Sequence, residues 1–286
     1  MTEPVMRAAG LAAGVLLTAT LSAAPQPEPP ELDLLVERLG RYLAAYESAI
    51  SAVIADEVYH QYEYLRNQRT SRKLESDMSF MRLPGGAEWF GVRHVRKVDG
   101  RQASEVDARL EQLLKDPGAD VVERTRAIVI ASALHNLGGT RTINMPTVAL
   151  EMLSAVNHPR LIFTLRGKQR IGGVETWRLD FEEFDEPTLV RATDGSNAWT
   201  RGSVWVERAN GRVWRTEIKV APDSPQRFQR PELESRVRVD YAHDATLGLL
   251  VPTQLQESFW IRRGRGEGRA RYSNFRRFTT SARIIP

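Results

Sequence analysis

The residues whose types and spacing could do chemistry are few and scattered. The chain has five histidines and no cysteine. Glu57 and His60 have the i, i+3 spacing of carboxylate-bridged di-metal bundles, but such a site needs two copies of the motif and further Glu ligands from other helices, and here a single copy lies near a helix-to-strand junction. His243-Asp244 could act as a base with its orienting acid, although a surface loop before the Ala245–Gly248 turn is the favoured interpretation. We therefore predict neither a metal site nor a histidine catalyst.

The acidic and serine candidates are equally isolated. Glu182-Glu183 and Asp185-Glu186 could serve general acid–base catalysis, but they cluster at a strand end before Pro187, where solvated acids are common. Gly195-Ser196 lies in a turn sequence. There is no nucleophile elbow, zinc-protease motif, phosphate loop or EF-hand spacing. The absence of Cys excludes thiolate metal sites, Cys nucleophiles and disulfides. The sequence thus predicts a protein that is not an enzyme and carries no cofactor.

Large apolar side chains, in contrast, are abundant on predicted strands. They are Trp89, Phe90, Trp177, Phe181, Trp205, Trp214, Phe259, Trp260, Tyr272, Phe275 and Phe278. One interpretation is that they form the core between a sheet and helices. The other is that a strongly curved sheet, only partly filled by helices, leaves an apolar cavity. Gly172-Gly173 and Gly211 would help such a sheet curl.

The elements that must position these side chains follow from hydrophobic periodicity. Leu35, Leu39, Leu43, Tyr46, Ile50 and Val53 form one helical stripe after Pro29-Pro30. Capping signals predict two further helices, one from Ser104 to Lys115 and one after Asp120, and Pro146 opens a short helix through Leu153. Alternation predicts the following strands: 59–65, 72–82, 88–98, 160–168, 174–183, 202–208, 212–220, 236–240, 253–261 and 268–278. Residues 31–286 therefore read as a single α+β domain.

The hairpin around Asn210-Gly211 allows a sharper prediction. A two-residue turn would mix apolar and charged side chains on each face. A three-residue loop with Gly211 in the left-handed conformation sets Val206 opposite Trp214 and Val204 opposite Thr216. We predict this second register, because it alone collects the apolar side chains on one side.

The N-terminus predicts export. Residues 1–24 have a positive start at Arg7, an uncharged stretch with several Leu, and the small residues Ser22-Ala23-Ala24, as a signal peptide does. An uncleaved anchor is the alternative. Residues 25–30 read as a stiff Pro-rich linker. We expect a periplasmic or secreted protein.

The positive charge is concentrated near the C-terminus. Residues 227–286 hold 12 Arg and 6 acidic residues. The Arg262–Arg269 stretch superficially resembles an RGG-type nucleic-acid segment, but strand-like sequence flanks it and an exported protein seldom meets nucleic acid. A charged hairpin end on a solvated sheet is the favoured interpretation. Contact with anionic lipid headgroups is the functional alternative, through Arg262, Arg263, Arg265 and Arg269.

Together these patterns resemble the exported lipoprotein-carrier superfamily of the LolA/LolB type. The resemblance lies in the leading amphipathic helix, the Gly202–Val206 and Val213–Glu217 strands joined at Asn210-Gly211, and the closing segments 241–252 and 272–278. It covers roughly residues 31–280, and this chain is longer, with a helical insertion at about 101–155. The resemblance implies a strongly curved antiparallel sheet, an unclosed half-barrel covered on one side by helices, whose cavity holds acyl chains.

The sequence therefore predicts an exported binding protein for a lipid or lipoprotein acyl chain, held by apolar burial. The predicted cavity-lining residues are Trp177, Leu179, Phe181, Val204, Val206, Trp214, Val239 and Tyr241. The alternative is a cell-envelope interaction module whose core is filled by its own side chains and which binds no small ligand.

Overall fold

A computed structural model describes residues 31–51, 53–66, 68–82, 89–103, 121–139, 141–192, 195–222, 234–261 and 264–277. Its helices are α1 (Glu31–Ile50), α2 (Val121–Ala133), α3 (Val148–Met152) and a 3₁₀ helix (Ala155–Arg160). The strands are β1 (Val53–Leu65), β2 (Gln68–Arg82), β3 (Trp89–Val98), β4 (Arg101–Gln102), β5 (Leu161–Ile171), β6 (Val174–Glu183), β7 (Val190–Arg191), β8 (Asn197–Val206), β9 (Val213–Pro222), β10 (Ser235–Asp244), β11 (Leu249–Ile261) and β12 (Gly264–Arg277). The predicted signal peptide, the linker, the 104–115 helix, Arg262 and Arg263 lie outside the described residues.

The twelve described strands form one antiparallel sheet. The strand order is β4-β3-β2-β1-β12-β11-β10-β9-β8-β6-β5, with β7 paired to β8. Because β4 and β5 are the two ends of this order, the sheet does not close on itself. None of the helices in the described ranges is long and apolar enough to cross a membrane.

The sheet bends around α1. This 20-residue helix contacts both β2 and β5, which lie eight strand spacings apart in the sheet. A flat sheet would separate those strands by about 38 Å, more than the roughly 30 Å length of the helix. We call the face that α1 contacts the concave face and the opposite one the convex face.

Helix α1 forms because its apolar stripe has a surface to bury. Leu35, Leu39, Leu43, Tyr46 and Ile50 are 0–4% exposed and join one core with the strands. Glu31 binds Arg208 in the β8–β9 loop, and the Ala49 carbonyl accepts from Arg277 at the end of β12. The helix therefore crosses the sheet from one hairpin to a distant strand. The sixth predicted stripe residue, Val53, instead begins β1.

Strand alternation separates an apolar face from a charged one. In β10, Val237, Val239 and Tyr241 are buried on the concave face, while Arg236, Arg238 and Asp240 lie on the convex face. This matches the predicted one-sided burial.

The glycine-rich stretch in β12 follows from the same alternation. Gly266 and Gly268 lie on the concave face between outward-facing arginines. A Cβ at Gly266 would come within 2.7 Å of Phe259 Cε1, and one at Gly268 would come within 2.6 Å of the Tyr59 hydroxyl oxygen. Glycine is therefore needed to admit the rings, and the RGG-like run is a β-strand.

The β8–β9 hairpin corrects one register prediction. Val204 is opposite Thr216 as predicted, and Gly211 is left-handed with φ 71°. Val206, however, is opposite Val213 rather than Trp214, and the register shifts next to it. Glu207 and Arg212 close a four-residue loop instead of three, and the bulge moves into the strand. This displacement lets both Val213 and Trp214 pack against the core.

Candidate functional site

The eight predicted cavity-lining residues all pack in or against the core on the concave face. Six of them are 0–4% exposed: Leu179, Phe181, Val204, Val206, Val239 and Tyr241. Trp177 and Trp214 are half-buried and pack at the margin of this apolar core. The structure thus places the eight predicted residues on the same face, where other parts of the protein cover six of them.

Helix α1 covers one part of this apolar face at very short range. A Cβ at Gly211 would lie 2.7 Å from the Leu39 backbone nitrogen, so the β8–β9 loop touches the helix backbone directly. Behind the helix, a Cβ at Gly40 would be 3.1 Å from both Ala155 and His158 of the 3₁₀ helix. Small residues therefore set the spacing between α1, the sheet and the 3₁₀ helix.

Residues 134–139 and 141–153, which we call the cover segment, lie over the remaining concave face. At its apolar end, Ala149, Leu150 and Leu153 join the core. The Tyr241 hydroxyl donates to the Pro146 carbonyl at 2.7 Å. Burial raises the pKa of Tyr241 well above its ordinary value, so the hydroxyl stays protonated and keeps donating.

The other end of the cover segment is held by a buried polar network that the sequence pattern did not reveal. Its centre is Arg93 on β3, whose Nε and Nη2 donate to the two carboxylate oxygens of Glu57 at 2.6 and 2.9 Å. The Arg93 side chain is 1% exposed and the Glu57 side chain is 0% exposed. Burial alone would lower the pKa of Arg93, but the Glu57 carboxylate raises it, so the guanidinium remains charged.

Arg93 also binds the cover segment itself. Its Nη2 donates to the Asn144 carbonyl at 2.9 Å. The Asn144 amide donates onward to the Tyr59 hydroxyl and to Asn136 Oδ1, each at 3.1 Å. Gln61 on β1 also belongs to this network: its amide donates to Asn136 Oδ1 at 2.7 Å, and its carbonyl oxygen accepts from the Leu137 backbone N–H at 2.6 Å. The sheet and the cover segment are therefore joined by directional bonds.

A second acid extends the network to β11. Glu257, 6% exposed, accepts hydrogen bonds from Tyr59 and, at 3.0 Å, from Arg141 Nη2. The Arg141 guanidinium stacks 3.4 Å from the Phe259 ring centroid. Burial raises the pKa of Tyr59, and the neighbouring Glu257 charge adds to the effect. Tyr59 thus remains a donor at any physiological pH.

The candidates for catalysis are not brought together. Glu57 faces the concave side and binds Arg93, whereas His60 is exposed on the convex side, because an i, i+3 pair on a strand points to opposite faces. Glu183 accepts from the Leu189 backbone N–H, and burial raises its pKa, while Asp185 is exposed. In the described ranges, no three acidic or histidine side chains are grouped as metal ligands would be.

The predicted headgroup-contact residues are placed in part. Arg265 and Arg269 lie on the convex face of β12 and are exposed. Arg262 and Arg263 fall outside the described residues.

Comparisons with known proteins give structural neighbours only. No family model and no curated protein matches the sequence. Among solved structures, the chain is similar to a LolA superfamily protein from Nitrosomonas europaea at 10% identity and TM-score 0.36, covering 89% of this chain and 97% of that one. It is also similar to a DUF1329 family protein from Desulfovibrio piger at 12% identity and TM-score 0.38, covering 87% and 92%.

A third similar structure is described as an outer membrane lipoprotein-sorting protein domain from Vibrio parahaemolyticus. The identity is 11% and the TM-score 0.38, with 86% of this chain and 94% of that chain covered. Because identities and TM-scores are this low, we base the proposals below on this chain's own residues.

Proposed function

We propose that this protein is an exported, non-enzymatic carrier that holds a lipid or lipoprotein acyl chain on its concave face. The proposal is supported by the way in which the concave face is covered. One helix and the cover segment, rather than a second sheet or domain, lie over the apolar side chains of the described strands. A cover of this kind can move aside without unpairing the sheet.

The polar network gives the cover segment a defined closed position. Hydrogen bonds to Arg93, Tyr59 and Gln61 hold one end of it to the sheet. At the other end, apolar packing and the Tyr241 bond hold it to the sheet, and Asn157 and His158 of the 3₁₀ helix bond to the Glu151 and Leu153 carbonyls. Opening at the apolar end would uncover concave side chains of β9, which α3 contacts, and an acyl chain would replace the lost contacts at about 25 cal/mol per Å² buried.

Two tryptophans mark the mouth of this proposed site. Trp177 and Trp214 lie on strands separated by β8, roughly 10 Å apart across the sheet. Neither indole N–H has a hydrogen-bond acceptor in the described part of the chain, although both nitrogens are buried. Buried donors normally find partners. The ester or amide carbonyl of an acylated ligand would supply such an acceptor.

The test is native mass spectrometry of the exported protein purified from a cell envelope. We expect a co-purified lipid on the wild type and at least a several-fold lower lipid occupancy on Trp177→Ala and Trp214→Ala. Trp205→Ala is the matched control, because Trp205 lies on β8, the strand between those of Trp177 and Trp214, but on the convex face, where its indole donates to Gln169. The control should lose stability without losing lipid.

A second candidate, an interaction module with a filled core, is favoured by the 0–4% exposure of six predicted lining residues. It predicts a spectrum free of lipid adducts and no uptake of a hydrophobic dye by any variant. That outcome would end the carrier proposal.

A further inference from the structure

A row of alternating aromatic and arginine side chains runs across four neighbouring strands on the convex face. Trp260 on β11 is directly opposite Arg265 on β12, Arg265 is opposite Tyr64 on β1, and Tyr64 is opposite Arg69 on β2. We call these four residues the tip row. It lies where the β1–β2 and β11–β12 hairpins end side by side, roughly 14 Å across three strand spacings.

The four side chains of the tip row do not belong to the buried core. Trp260 is 43% exposed, the Arg265 side chain is 57% exposed, Arg69 is exposed, and Tyr64 is half-buried. The concave-facing neighbours Phe259 and Gly266 are buried instead. The row is therefore a surface feature of the sheet rather than a consequence of core packing.

The arginines of this region rest on aromatic rings. Arg265 lies 5.1 Å from the Tyr64 ring centroid, and Arg69 lies 4.3 Å from that of Tyr62. The acid beside them, Glu267, is 3.8 Å from Arg265 in an exposed pair, which contributes little. Such stacking holds guanidinium groups at the surface with their donors free for an external anion.

Further cations continue the positive surface along β12. Arg269 and Arg271 face the same side and are exposed, with no carboxylate in ion-pair range among the residues that the structure describes. The convex face near the tip row thus has more cationic than anionic side chains.

We propose that the tip row docks this protein on an anionic phospholipid surface. The rings of Trp260 and Tyr64 favour the boundary between headgroups and acyl chains, and Arg69 and Arg265 would bind phosphates. The exposed indole of Trp260 beside Arg265 favours this occupant over an acidic peptide or a nucleic acid, because the headgroup boundary accommodates an indole and a guanidinium side by side. The inference does not depend on a lipid being carried on the concave face.

Co-sedimentation with vesicles tests the proposal on the full mature chain. We expect binding to vesicles with 30% phosphatidylglycerol, weak binding to pure phosphatidylcholine, and a loss of binding at high salt. Arg69→Gln/Arg265→Gln should lower the partition coefficient about thirty-fold, since each cation contributes near a charged surface. Trp260 should also be quenched by brominated lipid, and Trp260→Phe should remove that quenching.

Arg166→Gln/Arg170→Gln is the matched control. The Arg166 side chain is 56% exposed and paired with Asp180, much as Arg265 is paired, but it lies on β5, at one end of the strand order. The control should bind vesicles as the wild type does, and all variants should keep the wild-type thermal midpoint. Equal loss in the control, equal binding to neutral vesicles, or binding to an acidic peptide or oligonucleotide but not to vesicles would each overturn the proposal.

Discussion

Removing one partner of the Arg93–Glu57 pair should destabilise the protein far more than its single ion pair suggests. Both side chains are essentially inaccessible, and two N–O contacts of 2.6 and 2.9 Å join them. Glu57→Gln leaves a buried guanidinium without its counter-charge, which costs about 3–5 kcal/mol. This is a large part of the roughly 5–15 kcal/mol that stabilises a typical domain.

The double variant separates a charge effect from a packing effect. Glu57→Leu/Arg93→Met removes both charges while keeping the volume, so we expect it to be more stable than Glu57→Leu or Arg93→Met alone. The coupling between the two positions should be at least about 1 kcal/mol. Urea unfolding followed by far-UV circular dichroism and tryptophan fluorescence measures each corner of the cycle.

Arg166→Met is the comparison for this cycle. Arg166 pairs with Asp180 at 2.8 Å, but its side chain is 56% exposed, so its loss should cost no more than about 1 kcal/mol. If Glu57→Gln costs as little as Arg166→Met, or if the effects at Glu57 and Arg93 simply add, the buried network does not hold the cover segment as described.

Three further predictions concern the core and its margin. Gly266→Val should cost about 1–3 kcal/mol in unfolding free energy, measured by urea unfolding, because it overpacks against Phe259. Leu179→Ala should cost about 2–5 kcal/mol, because Leu179 is 0% exposed. Burial lowers the pKa of His158 despite its bond to the Leu153 carbonyl, so its contribution to stability should be present above its ordinary pKa of 6.5 and fade as pH falls through the lower folded value. A pH series of unfolding midpoints should lose this component in His158→Gln, and an unchanged pH profile would contradict the assignment.

The apolar half of the structure could be predicted from sequence because one-sided burial leaves a periodic signal. The stripe Leu35–Ile50 and the alternation in β10 each identify the buried face without reference to a partner. The same reasoning placed Trp177 and Trp214 with the core. It failed by one residue at Val206, because a bulge inside a strand leaves no mark in the hydrophobic pattern.

The polar network could not be predicted in this way. Glu57 and Gln61 occupy concave positions that periodicity reserves for apolar side chains, and their partners Arg93 and Asn136 are distant in sequence. A charge is tolerated at such a position only when tertiary contacts compensate it. The need for glycine at 266 and 268 could not be predicted for a related reason, since the rings that occupy the space beside them belong to other strands.

The central claim is that an acyl chain enters only when the cover segment leaves the sheet, and a reversible lock tests it. A Cβ at Gly91 would lie 3.1 Å from Thr147 Oγ1, which makes Gly91→Cys/Thr147→Cys a candidate pair for a disulfide, a bond that needs Cβ atoms roughly 3.5–4.5 Å apart. The chain has no other cysteine to compete. The account predicts that the purified variant takes up a fluorescent long-chain fatty acid when reduced and loses that uptake when oxidised. Equal uptake in both states would contradict it.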